Sequence, residues 1–264
     1  MRGSWVRLLT ALLAAACVGC GRDKRGAVSV VGSTSVQPFA EELALEFQRE
    51  HPGVYVEVQG GGSTAGLQAI ASGIAQIGMC SRSLRPEEAQ YTGITIARDG
   101  LAVVVHPSNP VEGLSRAEIR SIFTGEVTNW KGAGGNDRPI WLITREEGSG
   151  TREAFVKMVM HEARISRRAM NQESNGAVKE LVKHDPCAIG YMSLGLVGGE
   201  LKVLAVDGVT PSTAEVMSQR YPLVRPFLFV LKGTPTPGAQ QFIDFVLSPR
   251  GQQSLEKLGL VRAK

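Results

Sequence analysis

An α/β fold in two lobes is predicted by three features of this 264-residue chain. Strand-like and helix-like patterns alternate along it, three strand-to-helix passages are glycine-hydroxyl turns, and two strong apolar strands bracket a middle segment. A chain that leaves one α/β lobe and returns to it gives two lobes joined by two strands, with a cleft suited to hinge closure.

The first unit is the strand Val28-Ser29-Val30-Val31, the turn Gly32-Ser33-Thr34-Ser35, and a helix from Pro38 with Phe39, Leu43, Leu45 and Phe47 as apolar positions. The second repeats the plan: Val54 to Val58 alternates as a strand, Gly60 to Thr64 is the turn, and Ala65 to Ile74 is helix-like. The run Ile77-Gly78-Met79-Cys80 and the strand Leu101 to Val105 follow, and His106-Pro107-Ser108-Asn109-Pro110 breaks the pattern. A middle segment then runs through a helix (Leu114 to Phe123), a strand (Ile140 to Ile143), helices at Thr151 to Met160 and Asn175 to Val182, and a strand at Ala188 to Tyr191. The apolar run Pro226 to Leu231 leads into terminal helices at Ala239 to Leu247 and Gly251 to Leu258. Residues 28–105 with 226–264 therefore form the expected first lobe, and 106–225 the second.

The third glycine-hydroxyl turn is the richest in chemistry. Arg145-Glu146-Glu147-Gly148-Ser149-Gly150-Thr151-Arg152 places a guanidinium, two hydroxyls and glycine-freed N–H groups between a strand and a helix. The first N–H groups of a helix lack intrahelical acceptors and its dipole favours negative charge, so such a turn suits an anion. Arg145 can fork onto two oxygens of a tetrahedral anion, with Ser149 and Thr151 as hydroxyl donors. An ordinary capped helix is the plainer account of one such turn. Three with matched hydroxyls favour convergence on one ligand in the crevice at the carboxyl ends of the strands.

Composition excludes several classes. Hydrophobic content of 43% with 20% charged residues is that of a globular protein. Setting aside Arg2 and Arg7 of the leader leaves 27 basic against 25 acidic residues, a net of +2, and the short clusters at Arg22 to Arg25 and Arg164 to Arg168 make no nucleic-acid surface. His51, His106, His161 and His184 stand too far apart for a metal site, and no metal or cofactor is expected. Cys80 and Cys187 both sit in apolar surroundings as small buried residues, with a disulfide possible and not implied. Phosphoester hydrolysis would need a nucleophile with its base or a pair of held metals, and neither constellation is present, so no enzyme is expected.

Residues 1–20 read as an export signal. Arg2 and Arg7 precede the apolar stretch Leu8 to Val18, which is too short to span a bilayer. It closes on Ala14-Ala15-Ala16-Cys17-Val18-Gly19-Cys20, similar to a bacterial lipobox, with Cys20 the expected lipidated residue and Cys17 the fallback. Residues 21–27 then form a tether, and the protein is expected outside the cytoplasm, anchored to a membrane by its lipid.

Several motifs in series resemble those of the phosphate-binding proteins of bacterial phosphate ABC transporters. They are Gly32-Ser33-Thr34-Ser35, Gly61-Gly62-Ser63, Gly78-Met79-Cys80-Ser81-Arg82, Phe123-Thr124-Gly125 with Asn129-Trp130, Arg145 with Gly148-Ser149-Gly150-Thr151, and Ala188-Ile189-Gly190-Tyr191. The resemblance implies a type II periplasmic-binding-protein fold that closes on inorganic phosphate as a monomer and hands it to permease subunits. By position it implies phosphate contacts from Thr34, Ser35, Ser63, Arg145, Ser149, Gly150 and Thr151, with Glu147 bracing Arg145. Better-known members carry an Asp after the Gly78-to-Ser81 run, where it accepts the proton of a protonated phosphate and repels sulfate. This chain has Arg82 there, implied to donate to phosphate, with an ion pair on the cleft rim as the alternative.

Overall fold

A computed structural model describes residues 27–263. The signal, the tether up to Gly26 and Cys20 lie outside the described residues.

In chain order the elements are β1 (Ala27–Gly32), α1 (Gln37–Glu50), β2 (Tyr55–Gly60), α2 (Ser63–Ala71), β3 (Ile77–Cys80) and β4 (Thr92–Val105). Then come β5 (Gly113–Leu114), α3 (Arg116–Thr124), β6 (Trp141–Arg145), α4 (Gly150–Phe155), β7 (Met170–Gln172) and α5 (Asn175–His184). The chain continues through β8 (Ala188–Ser193), β9 (Lys202–Val203), β10 (Ala205–Val206) and α6 (Thr213–Met217). It closes with β11 (Val224–Leu231), α7 (Pro237–Leu247), α8 (Pro249–Lys257) and β12 (Val261–Arg262). One ten-stranded sheet runs β2-β1-β3-β11-β4-β8-β6-β7, with β9 and β12 beside β4, while β5 and β10 pair apart.

In the first lobe β1 is parallel to β2 and β3, and in the second β6 is parallel to β7 and β8. Parallel strands need crossovers, which the helices supply, and their carboxyl ends therefore open on the same side of each lobe. The first lobe packs α1, α7 and α8 on one sheet face through Phe39, Leu43, Phe47, Phe242 and Leu255, and α2 on the other through Leu67 and Ile70. Phe47 and Phe242 meet edge to face with centroids 5.4 Å apart. Truncating either ring to alanine removes about 3–5 kcal/mol of stability by the usual cost of an emptied aromatic site.

β4 belongs to both lobes. Up to Gly100 it pairs with β11, and from Leu101 it pairs with β8. Leu101, Val103 and Val105 face the core of α3, while Ala102 and Val104 face the core of α5, the two-residue alternation of a strand covered on both sides. The expectation that the crossing follows Val105 is thus displaced: the passage lies inside β4, near Gly100, and an apolar run alone does not show which core receives it. The other crossing is β11, whose Arg225 stands directly opposite Asp99.

The helix expected at Thr151 to Met160 is α-helical only to Phe155. Val156–Met160 widens into a π turn, with His161 N donating to Val156 O at 2.7 Å.

Candidate functional site

Six chain segments at strand carboxyl ends converge between the lobes: the exits of β1, β2 and β3 from the first, and of β6, β7 and β8 from the second. The lobes touch there. Thr64 N donates to Gly148 O at 3.1 Å, and Arg145 Nη2 donates to Thr34 Oγ1 at 3.0 Å. Gly150 makes the closest approach: a Cβ at this position would stand 2.1 Å from Ser63 Oγ and 2.7 Å from Ser81 Oγ. Gly62, at φ +92°, opens α2 in a conformation that side chains rarely adopt, with a would-be Cβ 3.1 Å from Gly148 O.

Arg145 ends β6 and is 1% exposed. Its Nε stands 3.0 Å from Glu146 Oε2 and from Gln172 O, and its Nη2 reaches Glu146 Oε1 at 3.0 Å and Glu173 O at 3.1 Å. Its Nη1 is buried with no protein partner. One edge of the guanidinium is therefore clamped and the other is left to donate. Glu146, not Glu147, is the brace; Glu147 lies exposed in the turn, and adjacent carboxylates in a loop cannot be ranked by spacing alone. The backbone under Arg145 is set by Tyr191, which stacks on Phe155 at 3.9 Å between centroids and bonds Thr144 Oγ1 at 2.6 Å.

Ser149 caps α4, its Oγ accepting from Arg152 N at 3.3 Å, which leaves its own proton unspent. Gly150 and Thr151 follow as the first helical residues, whose N–H groups have no intrahelical acceptor. Ser35 Oγ and Thr151 Oγ1 lie 2.7 Å apart across the cleft, and both are buried. Ser63 Oγ accepts from Ser81 N at 3.1 Å. Seven of the eight residues expected at the site are thereby brought together: Thr34, Ser35, Ser63, Arg145, Ser149, Gly150 and Thr151.

Arg82 is the exception. Its Nη1 and Nη2 fork onto Glu88 at 2.7 and 2.8 Å, and its Nε stands 2.7 Å from Glu153 Oε2. Burial alone would weaken its charge, but the bonds to Glu88 and the charge of Glu153 outweigh it and raise its pKa. Burial would likewise raise the Glu88 carboxyl, and Arg82 overturns this, holding it below the ordinary carboxylate value. The expected donation from Arg82 to a ligand is corrected to the rim ion pair, because its guanidinium is held by Glu88 on its own side of the cleft and paired with Glu153 on the other.

Four residues at the site were missed in the sequence. Arg225 Nε lies 3.0 Å from Asp99 Oδ2, its Nη1 donates to Thr151 Oγ1 at 2.6 Å, and both charges are buried. Burial pushes the Asp99 carboxyl up and the Arg225 guanidinium down, each opposed by the other's charge. Asn175 Nδ2 donates to Ser35 Oγ at 2.9 Å, and Ser193 Oγ to Asp99 Oδ1 at 2.8 Å. A signal was present: a lone basic residue in the apolar stretch Leu223 to Leu231 requires a buried partner.

Among the described residues no group of three or more His, Cys, Asp or Glu is placed to hold a metal ion. Cys80 is a buried free thiol, and Cys187 is free and only half-buried, more open than its apolar neighbours suggested.

A family model described as a PBP superfamily domain matches residues 21–250. Phosphate-binding protein PstS of Bacillus subtilis is 31% identical over 262 residues, covering 92% of this chain and 87% of that protein. Among solved structures, a phosphate ABC transporter substrate-binding protein with bound phosphate from Clostridium perfringens is 40% identical, with a TM-score of 0.88 over 90% of this chain and 100% of the other. An ABC-type phosphate transport receptor from Vibrio cholerae is 36% identical, with a TM-score of 0.76 over 89% and 99%.

Proposed function

The chain belongs to the phosphate-binding proteins of the PBP superfamily, and on that premise we propose that it binds inorganic phosphate outside the cytoplasm and delivers it to the permease subunits of a phosphate ABC transporter. The observation that carries the reading is Arg145, a buried guanidinium with one edge braced by Glu146 and Nη1 left without a partner. At so buried a position, an unsatisfied cationic donor is costly and is relieved by an anion. The ligand contacts are Arg145, the hydroxyls of Thr34, Ser35, Ser63, Ser149 and Thr151, and the N–H groups of Gly150 and Thr151. Lobe closure brings the two halves of this set together.

Binding rather than turnover suits the chemistry. Ser35 and Thr151 are partnered by an amide donor and a guanidinium, neither of which can take a proton from a nucleophile. The protein acts as a monomer without a cofactor. It is held at the membrane through a lipid on Cys20; no described helix is long and apolar enough to cross a bilayer. Mass spectrometry of the mature N-terminus tests the anchor, an unmodified terminus cut at the alanines being the outcome against it.

Calorimetric titration with phosphate, repeated in competition with sulfate, arsenate and molybdate, tests the ligand. Phosphate should bind and displace the others at equal concentration. No heat with phosphate, or tighter binding of molybdate, would overturn the assignment. Turnover of a chromogenic phosphate ester, with or without divalent metals, would overturn the reading as a binder.

A further inference from the structure

Glu153 is an acid in an unexpected place. It lies in the first turn of α4, two residues after Thr151, on the helix whose N-terminus faces the cleft. A carboxylate there complements the helix dipole. It also sets a negative charge beside an anion site, where it repels the ligand. Its partners resolve the contradiction, and they belong to the other lobe. Glu153 Oε2 stands 2.7 Å from Arg82 Nε, while Arg85 donates to the same carboxylate from Nε to Oε2 at 3.1 Å and from Nη2 to Oε1 at 3.3 Å.

The ion cluster lies just outside the ligand turns on each side of the cleft. Ser81, whose N donates to Ser63 Oγ, is followed directly by Arg82, and Thr151 is followed two residues on by Glu153. Contact between the turns therefore assembles the cluster as well. When the lobes part, the arginines are not stranded. Arg82 keeps its fork onto Glu88, and Arg85 keeps Glu87 at 3.3 Å, both acids belonging to the same stretch of the first lobe. Glu153, on the opposite lobe, loses both arginines, so its pairing exists in the closed state alone. A contact made in one of two states shifts the equilibrium toward that state. With Glu153 28% and Arg85 43% exposed, the bias is modest, which suits a receptor that must reopen to deliver its ligand.

We propose that Glu153 is a positioning residue for phosphate capture: without touching the ligand, it clasps Arg82 and Arg85 across the cleft, holds the lobes shut and sets how long phosphate stays bound. The inference rests on the phosphate reading and adds a determinant of release to it. Its sign is opposite to that of simple repulsion. Were Glu153 only a negative charge near the anion, neutralising it would slow release. As a clasp, its loss must speed release.

The test follows release of labelled inorganic phosphate from the full chain, chased with unlabelled phosphate, for the unaltered protein, Glu153→Gln, Arg85→Ala and the double variant. Glu153→Gln should release phosphate about three- to tenfold faster, more than a fully exposed pair would give because Arg82 is buried. Its association rate should stay within about twofold, since encounter precedes closure, and its unfolding midpoint without ligand should not move. Arg85→Ala should speed release less, because Glu153 keeps Arg82, and should add little in the Glu153→Gln background. Release at or below the unaltered rate from folded Glu153→Gln would overturn the proposal. So would an Arg85→Ala effect of equal size in both backgrounds, or a ligand-free midpoint that falls in step with faster release. If Glu153→Gln proves unfolded by circular dichroism, Arg85→Ala decides alone, and an unchanged release rate would count against the clasp. Each of these outcomes leaves the phosphate reading standing, whereas an unaltered protein that takes up no labelled phosphate would sink both.

Discussion

Arg82 and Glu88 meet fork to fork, Nη1 to Oε2 at 2.7 Å and Nη2 to Oε1 at 2.8 Å, with the Arg82 side chain 6% exposed. Arg82, which the resemblance implied would donate to the ligand, is here matched by Glu88 in the first lobe and by Glu153 across the cleft. The pair anchors the β3 exit, and Arg85 extends it across the cleft to Glu153.

Acid should weaken this anchor. The Glu88 carboxyl is held below its ordinary value, so its contribution to stability is present above the unfolded value and is lost as pH falls through the folded one. Glu88→Gln should cost about 1–3 kcal/mol at neutral pH, the scale of a broken, mostly buried ion-pair bond. Denaturant titrations over a pH series should show the gap to the unaltered protein closing as pH drops; a gap that stays constant into acid would remove Glu88 as its source.

Arg145→Ala should leave the fold in place and weaken phosphate binding by at least about tenfold, since charge-assisted hydrogen bonds are worth about 1.5–3 kcal/mol each. Arg145→Lys should restore only part of it, because an ammonium cannot hold Glu146 along one edge and the ligand along the other. Calorimetry on folded protein decides, and unchanged affinity would take Arg145 out of the site.

Gly150→Ala isolates lobe closure. Alanine is a better helix former by about 1 kcal/mol, so stability without ligand should hold or rise. The added Cβ would nevertheless stand 3.0 Å from Ser63 Cβ as well as against its hydroxyl, on the opposite lobe. Phosphate affinity should drop by about a hundredfold, the scale of the 1–3 kcal/mol of overpacking. Small-angle scattering should show the variant staying expanded at saturating phosphate concentrations that compact the unaltered protein. Matching profiles would show that the lobes absorb the methyl group.

Sulfate is the sharpest probe of selectivity. An acceptor facing the ligand rejects a fully ionised anion by leaving a buried charge unpaired. With Arg82 spent on Glu88, and with Asp99 and Glu146 both engaged, no such acceptor is free. Sulfate should therefore compete measurably with phosphate, and more strongly than in Asp-bearing relatives assayed side by side. Undetectable competition at large excess would mean that Glu146 accepts a phosphate proton while still bracing Arg145.

Periodicity and turn chemistry were enough to locate β1, α1, β2, α2 and the turns at Thr34, Ser63 and Ser149, because each is encoded within a dozen residues: alternating valines, a helix stripe, and glycines where no Cβ fits. The same local logic identified Arg145 as a cation beside a hydroxyl-rich turn. What it could not supply was the partner of any charge. Glu146 rather than Glu147 braces Arg145, Arg82 turns to Glu88 and Glu153 at the cleft rim, and Arg225 reaches Asp99, 126 residues away in the chain. These choices belong to tertiary structure, since a guanidinium buried from water takes whichever acceptors the packing of distant strands brings within about 3 Å. The division of β4 between two lobes has the same origin, because an unbroken apolar run suits either core and only the pairing of its first half with β11 and its second with β8 assigns it to both.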